Sequence, residues 1–323
     1  MYKLMKIKNL KNYGIPSYIL NIWEKHYSPY LLPIQEDAVK NYGILNCGER
    51  EIHPHPALSP QGRGDKNERE IDSCFRGNDK SSSGNDVWGN GNDRDKNLLV
   101  IAPTSSGKTF IGEMAAITQV IHQKKVIYLV PLRSLAEEKY RHFKNLYSNW
   151  GLETVVSTRA RREDDHRIIR GDYNIAVMVY EKFYYFLLKH PNFLIDVSLV
   201  VIDEMQLINN PKWGPLIENL IDHLRRKNGN LRIIALSALI ENQEALLKWF
   251  PAQSLLSYQR PVKLRKGMVR EGIFKYITSE KNKTYQREIF FKPDAVRDNC
   301  FGNYLLETVR YFINQNESTL IFF

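Results

Sequence analysis

Leu98-Leu99-Val100-Ile101-Ala102-Pro103-Thr104-Ser105-Ser106-Gly107-Lys108-Thr109 decides how this chain is read. A continuous apolar run of the kind that forms a buried strand enters a tight turn of small residues. A helical pattern then begins near Phe110. Strand, small-residue loop, Gly-Lys-Thr and helix in that order make a phosphate-binding loop. Backbone N–H groups of the turn and the N-terminus of the next helix surround a polyphosphate with partial positive charge. Thr104, Ser105, Ser106 and Gly107 are the expected cradle. Lys108 is placed to reach the β- and γ-phosphates of a nucleotide, and the Thr109 hydroxyl to hold Mg²⁺. Ala102 stands where the general pattern has its first glycine, and a residue that small still permits the turn. A serine-rich loop before an ordinary helix has the same local texture, so the neighbouring segments must decide between the two.

On the C-terminal side the pattern becomes regular. Leu98–Ile101, Lys125–Val130, Thr154–Ser157, Asn174–Met178, Leu199–Asp203 and Leu231–Ser237 are short runs rich in Val and Ile, as strands covered on both faces should be. Helical stretches fall between most of them: Gly107–His122, Ser134–Tyr147, Glu181–His190 and Trp213–Arg226. This alternation predicts an α/β fold, a doubly wound parallel sheet, with ligands at the carboxyl ends of the strands. One such end, Val200-Val201-Ile202-Asp203-Glu204, delivers two acidic residues. Beside a phosphate loop, Asp203 would position Mg²⁺ and Glu204 would polarise the water attacking the γ-phosphate. Paired carboxylates at a strand end also serve as helix caps or solvated turns.

The remaining segments differ in character. Residues 1–46 read as a helical segment broken at Gly14-Ile15-Pro16 and Ser28-Pro29, with a helix from Pro33 toward Tyr42. Residues 47–96 are rich in Gly, Pro, Asn, Asp and Ser, and Gly-Asn-Asp recurs at Gly77, Gly84 and Gly91. So little apolar content predicts a disordered insertion. Within it, His53, His55 and Cys74 are too irregularly spaced for a metal site. Residues 97–257 form the expected nucleotide-binding lobe. Residues 258–323 read as a basic, extended linker, a helix-like Asn303–Asn314, and the opening of a further strand at Leu320–Phe323.

Bulk properties narrow the function. A net charge of +10 on 323 residues favours a polyanionic partner, most simply nucleic acid, although solubility alone also accounts for a basic chain. Three widely spaced cysteines exclude a disulfide framework and suit a reducing compartment. No apolar run is long enough to span a bilayer. The chain therefore reads as cytoplasmic.

With these motifs in order, the chain resembles a superfamily 2 helicase of the DEAD/DEAH-box class, nearest the branch of archaeal repair helicases and Ski-type RNA helicases. Ala102–Thr109 resembles motif I, Pro131-Leu132-Arg133-Ser134-Leu135-Ala136 motif Ia, Asp203-Glu204-Met205-Gln206 motif II and Ser237-Ala238-Leu239 motif III. Arg260-Pro261-Val262-Lys263-Leu264 resembles the segment that leaves the first lobe. The resemblance implies a RecA-like lobe that binds ATP and Mg²⁺, with Lys108, Asp203, Glu204 and Gln206 as catalytic residues. It implies adenine reading by Gln35, and metal binding through Thr109 and Asp203. Pro131, Arg133, Tyr180 and Lys182 are implied contacts to a single-stranded or partly duplex DNA or RNA. Tyr18 is placed either to stack on the base or to serve as a plain core aromatic, and Arg133 also fits an ordinary solvated helix start.

Gln206 and Leu239 depart from the histidine and threonine usual at their positions, on the path that couples nucleotide state to strand binding. Helicases of this class work with a second RecA-like lobe, of which Leu320–Phe323 resembles only the first strand. The expectation is therefore slow hydrolysis unless a separate chain supplies that lobe. The competing readings are a non-catalytic ATP- and nucleic-acid-binding fragment, the product of a decaying gene, and a phosphate-loop ATPase of another class.

Overall fold

The computed structural model describes residues 4–46, 97–190, 192–226, 231–240, 243–260, 264–278, 285–292 and 301–317. The expectations for 47–96, for Pro261-Val262-Lys263 and for Leu320–Phe323 lie outside the described residues. Two compact units divide the chain, Met1–Gln259 and Arg260–Phe323.

The first unit is built on a seven-stranded parallel sheet. Its strands are β1 (Leu98–Ile101), β2 (Lys125–Val130), β3 (Thr154–Ser157), β4 (Ile175–Val179), β5 (Val197–Ile202), β6 (Arg232–Ser237) and β7 (Gln253–Leu256). They lie in the order β3-β4-β2-β5-β6-β1-β7. Six were expected to within two residues at each end. The seventh, β7, was not, because only Leu255 of its four residues is buried and no apolar run marks it.

Side chains alternate across this sheet as the pleat requires. Leu98, Val100, Val126, Tyr128 and Val130 face one core. Leu99, Ile101, Ile127 and Leu129 face the other. The first face is covered by α1 (Ser17–His26), α2 (Pro33–Tyr42), α3 (Lys108–Ile121) and α4 (Arg133–Tyr147). Residues of α5 (Asp165–Arg170), α6 (Tyr180–Lys189), α7 (Gly214–Arg226) and α8 (Gln243–Trp249) join the core on the second. The absence of a side chain at Gly112 lets α3 sit close to the sheet. A Cβ there would come 2.9 Å from Leu236 Cδ1 and 3.1 Å from Val201 Cγ1. That approach fixes the height of the phosphate loop, which opens directly into α3.

A buried carboxylate fastens the N-terminal segment to this lobe. Glu113 of α3, 1% exposed, accepts hydrogen bonds from Tyr27 Oη at 2.5 Å, from His142 Nε2 at 2.7 Å and from the Tyr147 phenol. Trp23 Nε1 of α1 in turn donates to Tyr147 Oη at 2.8 Å. Burial is the largest influence on Glu113 and pushes its carboxyl up. His142, Tyr147 and Tyr27 together outweigh burial and hold it below the ordinary carboxylate range. Both ends of α2 are fixed as well. Met5 N–H donates to Glu36 near its start, and at its finish Arg232 of β6 donates to the Tyr42 and Gly43 carbonyls at 3.1 and 3.0 Å.

The second unit contains an antiparallel sheet of β8 (Arg265–Arg270), β9 (Ile273–Thr278) and β10 (Tyr285–Ile289), and a helix α9 (Phe301–Asn314). The basic stretch read as extended thus forms antiparallel strands, and the expected helix follows.

Removing the Glu113 carboxylate takes the shared acceptor from two phenols and an imidazole, with the Tyr147 phenol fully buried, so Glu113→Ala should cost about 3 kcal/mol in urea unfolding. The carboxyl is lowered in the folded state, so its contribution is present above the ordinary carboxylate range and fades as pH falls through the folded value. Glu113→Gln should flatten that acid limb of stability.

Candidate nucleotide site and nucleic-acid face

Because every strand of the sheet is parallel, all carboxyl ends lie on one edge, and the sequence motifs meet there. At the tip of β1, Ala102 N–H donates to Ser237 O of β6 at 3.1 Å, tying the loop's start to motif III. Ser105 has φ 65° and Gly107 φ 86°, both left-handed. The left-handed conformation favours the glycine at 107, and a Cβ there would lie 2.2 Å from Gln35 Nε2 and displace that amide. Lys108 folds back over its own loop, with Nζ 2.8 Å from Ala102 O and 2.7 Å from Pro103 O. Ser106 is 1% exposed, and its hydroxyl is buried with no hydrogen-bond partner among the described residues. A buried donor without an acceptor is costly. Together with an ammonium held on loop carbonyls and a turn of backbone N–H groups, it fits a site whose missing acceptors are phosphate oxygens. Thr104, Ser105 and Thr109 are exposed at the mouth.

Gln35 reaches this loop from α2. Its Oε1 accepts from Leu32 N–H at 2.8 Å and its Nε2 donates to Gly107 O at 3.1 Å. A primary amide carries two donor hydrogens and two acceptor lone pairs. One of each is accounted for, and the remaining pair matches the N7 acceptor and N6 donor of adenine. Tyr18 instead stacks on Trp150, with centroids 4.6 Å apart, which is the core-aromatic alternative.

At the tip of β5, Asp203 and Glu204 are held from several directions. Asp203 N–H donates to Leu129 O at 2.9 Å, Asp203 Oδ2 accepts from Tyr128 Oη at 3.0 Å, and Oδ1 accepts from Glu204 N–H at 3.0 Å. The Tyr180 phenol donates to the Asp203 carbonyl. Burial, the largest influence, pushes the Asp203 carboxyl above its ordinary range. The Lys139 charge opposes this, and the Glu204 charge reinforces it. Glu204 is left-handed at φ 60°, an uncommon conformation for a residue with a side chain. Gln206 bridges it to the next strand: its Nε2 donates to the Glu204 carboxylate, while its Oε1 accepts from Ala238 N–H at 2.8 Å and from Ser237 Oγ at 3.4 Å. An amide thus ties the tip of β5 to the backbone of the next strand at this position. Leu239 is exposed.

The four residues singled out for nucleic acid divide sharply. Arg133, at the start of α4, is exposed. Pro131 is buried, and Tyr180 is fully buried with its phenol turned to Asp203, so neither side chain lies on an open face. Lys182 is 8% exposed, and its ammonium is ion-paired with Asp165 at 2.5 Å over the Phe186 ring. A groove of about 400 Å³ beside it is lined by Arg159, Arg162, Tyr185 and His190. Arg159, Arg162 and Tyr185 are exposed, and none was picked out from the sequence. The signal that could have found the two arginines is the cluster Arg159-Ala160-Arg161-Arg162, two residues beyond the end of β3.

Among the described residues no helix is long and apolar enough to cross a membrane, and no group of three or more His, Cys, Asp or Glu forms a metal-binding cluster. A divalent ion at Thr109 and Asp203 would have to share its ligands with the nucleotide.

Comparison with known proteins agrees with this geometry. Residues 87–246 match the DEAD/DEAH box helicase family. Similar proteins include the ATP-dependent DNA helicase Hel308 of Caldivirga maquilingensis, 38% identical over 183 residues, which covers 56% of this chain and 24% of that one. The Hel308 of Methanocaldococcus jannaschii is 37% identical over 224 residues, 68% of this chain and 18% of its own length. That of Methanococcus vannielii is 33% identical over 236 residues, 71% and 30% respectively. The matched region thus spans less than a third of the length of each of these relatives. Among solved structures, the DUF1998 helicase MrfA bound to DNA shares the fold, with a TM-score of 0.51 at 14% identity over 75% of this chain and 29% of that one. On the phosphate loop, the Asp203-Glu204 strand tip, the parallel sheet that joins them and the match over residues 87–246, the chain carries a DEAD/DEAH box helicase domain on a RecA-like lobe.

Proposed function

We propose that this chain is the ATP-binding motor lobe of a DNA helicase, holding ATP with Mg²⁺ at the tips of β1, β5 and β6 and a single strand across the tips of β2, β3 and β4. The observation that carries this reading is Gln206, whose amide joins the Glu204 carboxylate to the backbone of motif III at Ala238. A carboxylate that only capped a helix would need no such link to the neighbouring strand. The names of the relatives favour DNA over RNA.

In this reading the residues divide the work. Gln35 selects adenine, while Thr104, Ser105, Ser106 and Gly107 supply the cradle. Lys108 exchanges its loop carbonyls for β- and γ-phosphate oxygens. Thr109 and Asp203 hold Mg²⁺, which neutralises charge developing on the phosphates. Glu204 orients the attacking water and takes up its proton. Arg133, Arg159 and Arg162 contact the sugar-phosphate backbone without reading sequence, and Tyr185 offers a face for base stacking.

Lys108→Ala should abolish ATP turnover, by about 100-fold or more, as followed by phosphate release in the presence of oligo-dT. Unchanged turnover near background would favour the non-catalytic binding fragment instead. Since the raised Asp203 carboxyl takes up a proton at higher pH than an ordinary aspartate, Mg²⁺-dependent ATP affinity should decline on acidification before that range is reached. Asp203→Asn should remove this acid limb in a titration with fluorescent nucleotide. Oligo-dT affinity should fall steeply with salt, and Arg133→Ala or Arg162→Ala should each flatten the log–log slope by about 0.7. A matched oligo-U strand bound more tightly would turn the reading to RNA.

A further inference from the structure

The carboxyl edge of the sheet has two halves. In the proposed reading the tips of β3, β4 and β2 face the nucleic-acid strand, and β5, β6 and β1 carry the nucleotide motifs, on the sheet order β3-β4-β2-β5-β6-β1-β7. Asp203, the first residue past β5, is gripped from the other half by two phenols. One belongs to Tyr128 of β2, the strand next to β5. The other belongs to Tyr180, at the tip of β4, which pairs with β2 and β3 and is not adjacent to β5. The Tyr180 ring therefore reaches past the end of β2 to donate to the Asp203 carbonyl. It is fully buried and meets Trp213 edge-on at 6.0 Å.

The carbonyl it holds belongs to the peptide bond between Asp203 and Glu204. The N–H of the same peptide is held by Asp203 Oδ1. With both polar atoms of that plane held, the peptide leading into Glu204 cannot swing, and Glu204 continues from it with a left-handed φ of 60°. A non-glycine residue keeps such a conformation only where its surroundings impose it. We propose that Tyr180 is a positioning residue for ATP hydrolysis: through the Asp203 carbonyl it fixes the backbone from which Glu204 presents its carboxylate to the attacking water. Its place in the chain gives this a direction. Tyr180 is the first residue of α6, and Lys182 in the same turn borders the Arg159–Arg162 groove. A strand seated in that groove bears on the turn whose first side chain holds the water-orienting residue in place.

This inference rests on reading the site as an ATPase, and the experiment separates the two. Wild type, Tyr180→Phe and Lys108→Ala of the full chain are compared in single-turnover ATP hydrolysis with and without oligo-dT, alongside nucleotide affinity and melting temperature. Tyr180→Phe keeps the ring and its packing and removes only the hydroxyl. It should lower the hydrolysis rate about tenfold and reduce its stimulation by oligo-dT. ATP and oligo-dT affinities should stay within about twofold, the signature of an interaction expressed in the transition state. If Lys108→Ala is inactive while Tyr180→Phe matches wild type, the role of Tyr180 is overturned and the ATPase reading stands. A parallel loss of nucleotide affinity and melting temperature in Tyr180→Phe would make the residue structural and also overturn it. If Lys108→Ala equals wild type, the ATPase reading falls and takes this role with it.

Discussion

Parallel pairing is the constraint on which this lobe depends. Strands that all run the same way must end on one edge, and each must be followed by a crossover that begins there. Seven strands in the order β3-β4-β2-β5-β6-β1-β7 therefore bring segments from residue 102 to residue 239 onto a single rim. The chemistry needs no long loops to assemble. The phosphate loop, Asp203, Glu204 and Ser237 stand on neighbouring strands, and short hydrogen-bonded bridges complete the contact. The same constraint brings Tyr128 and Tyr180 within reach of Asp203.

What the sequence reveals follows from how local each feature is. The phosphate loop was legible because contiguous backbone does its work. β1 to β6 were legible because strands buried on both faces must be apolar throughout, as Leu98–Ile101 and Ile175–Val179 are. β7 and the antiparallel sheet of the second unit carry mixed, partly exposed residues such as Met268 and Tyr285, and no periodicity distinguishes them from extended chain. The Glu113 cluster joins side chains as distant in sequence as Trp23 and Tyr147, which only the folded chain brings together. Nothing in the string Tyr180-Glu181-Lys182 announces that its tyrosine turns inward. Resemblance supplied a surface role for it, and packing assigned the side chain elsewhere.

Of the three left-handed non-glycine residues among the described residues of the lobe, Ser105, Gln123 and Glu204, two stand at its motifs. Ser105 and Glu204 both sit on the functional rim, and each costs about 1 kcal/mol or more relative to a right-handed backbone. Rigid neighbours hold both. Ser105 lies between a strand tip hydrogen-bonded to Ser237 and a helix packed tightly at Gly112, and Glu204 between the Asp203 peptide and the Gln206 amide.

Arg232 has a consequence of another kind. Its guanidinium holds the carbonyls of Tyr42 and Gly43, and the next residue, Ile233, donates its N–H to Asn97 Oδ1 at 2.8 Å. The chain thus leaves α2 and enters β1 beside the same two residues of β6, although 54 residues lie between Gly43 and Leu98. Where departure and return share one address, the architecture is indifferent to how much chain lies between them. The entropy of closing such an excursion grows only logarithmically, by about 0.6 kcal/mol for each doubling of its length. A lobe of this design can acquire or lose a long stretch at that point while Gln35, about two turns upstream, keeps its place against Gly107.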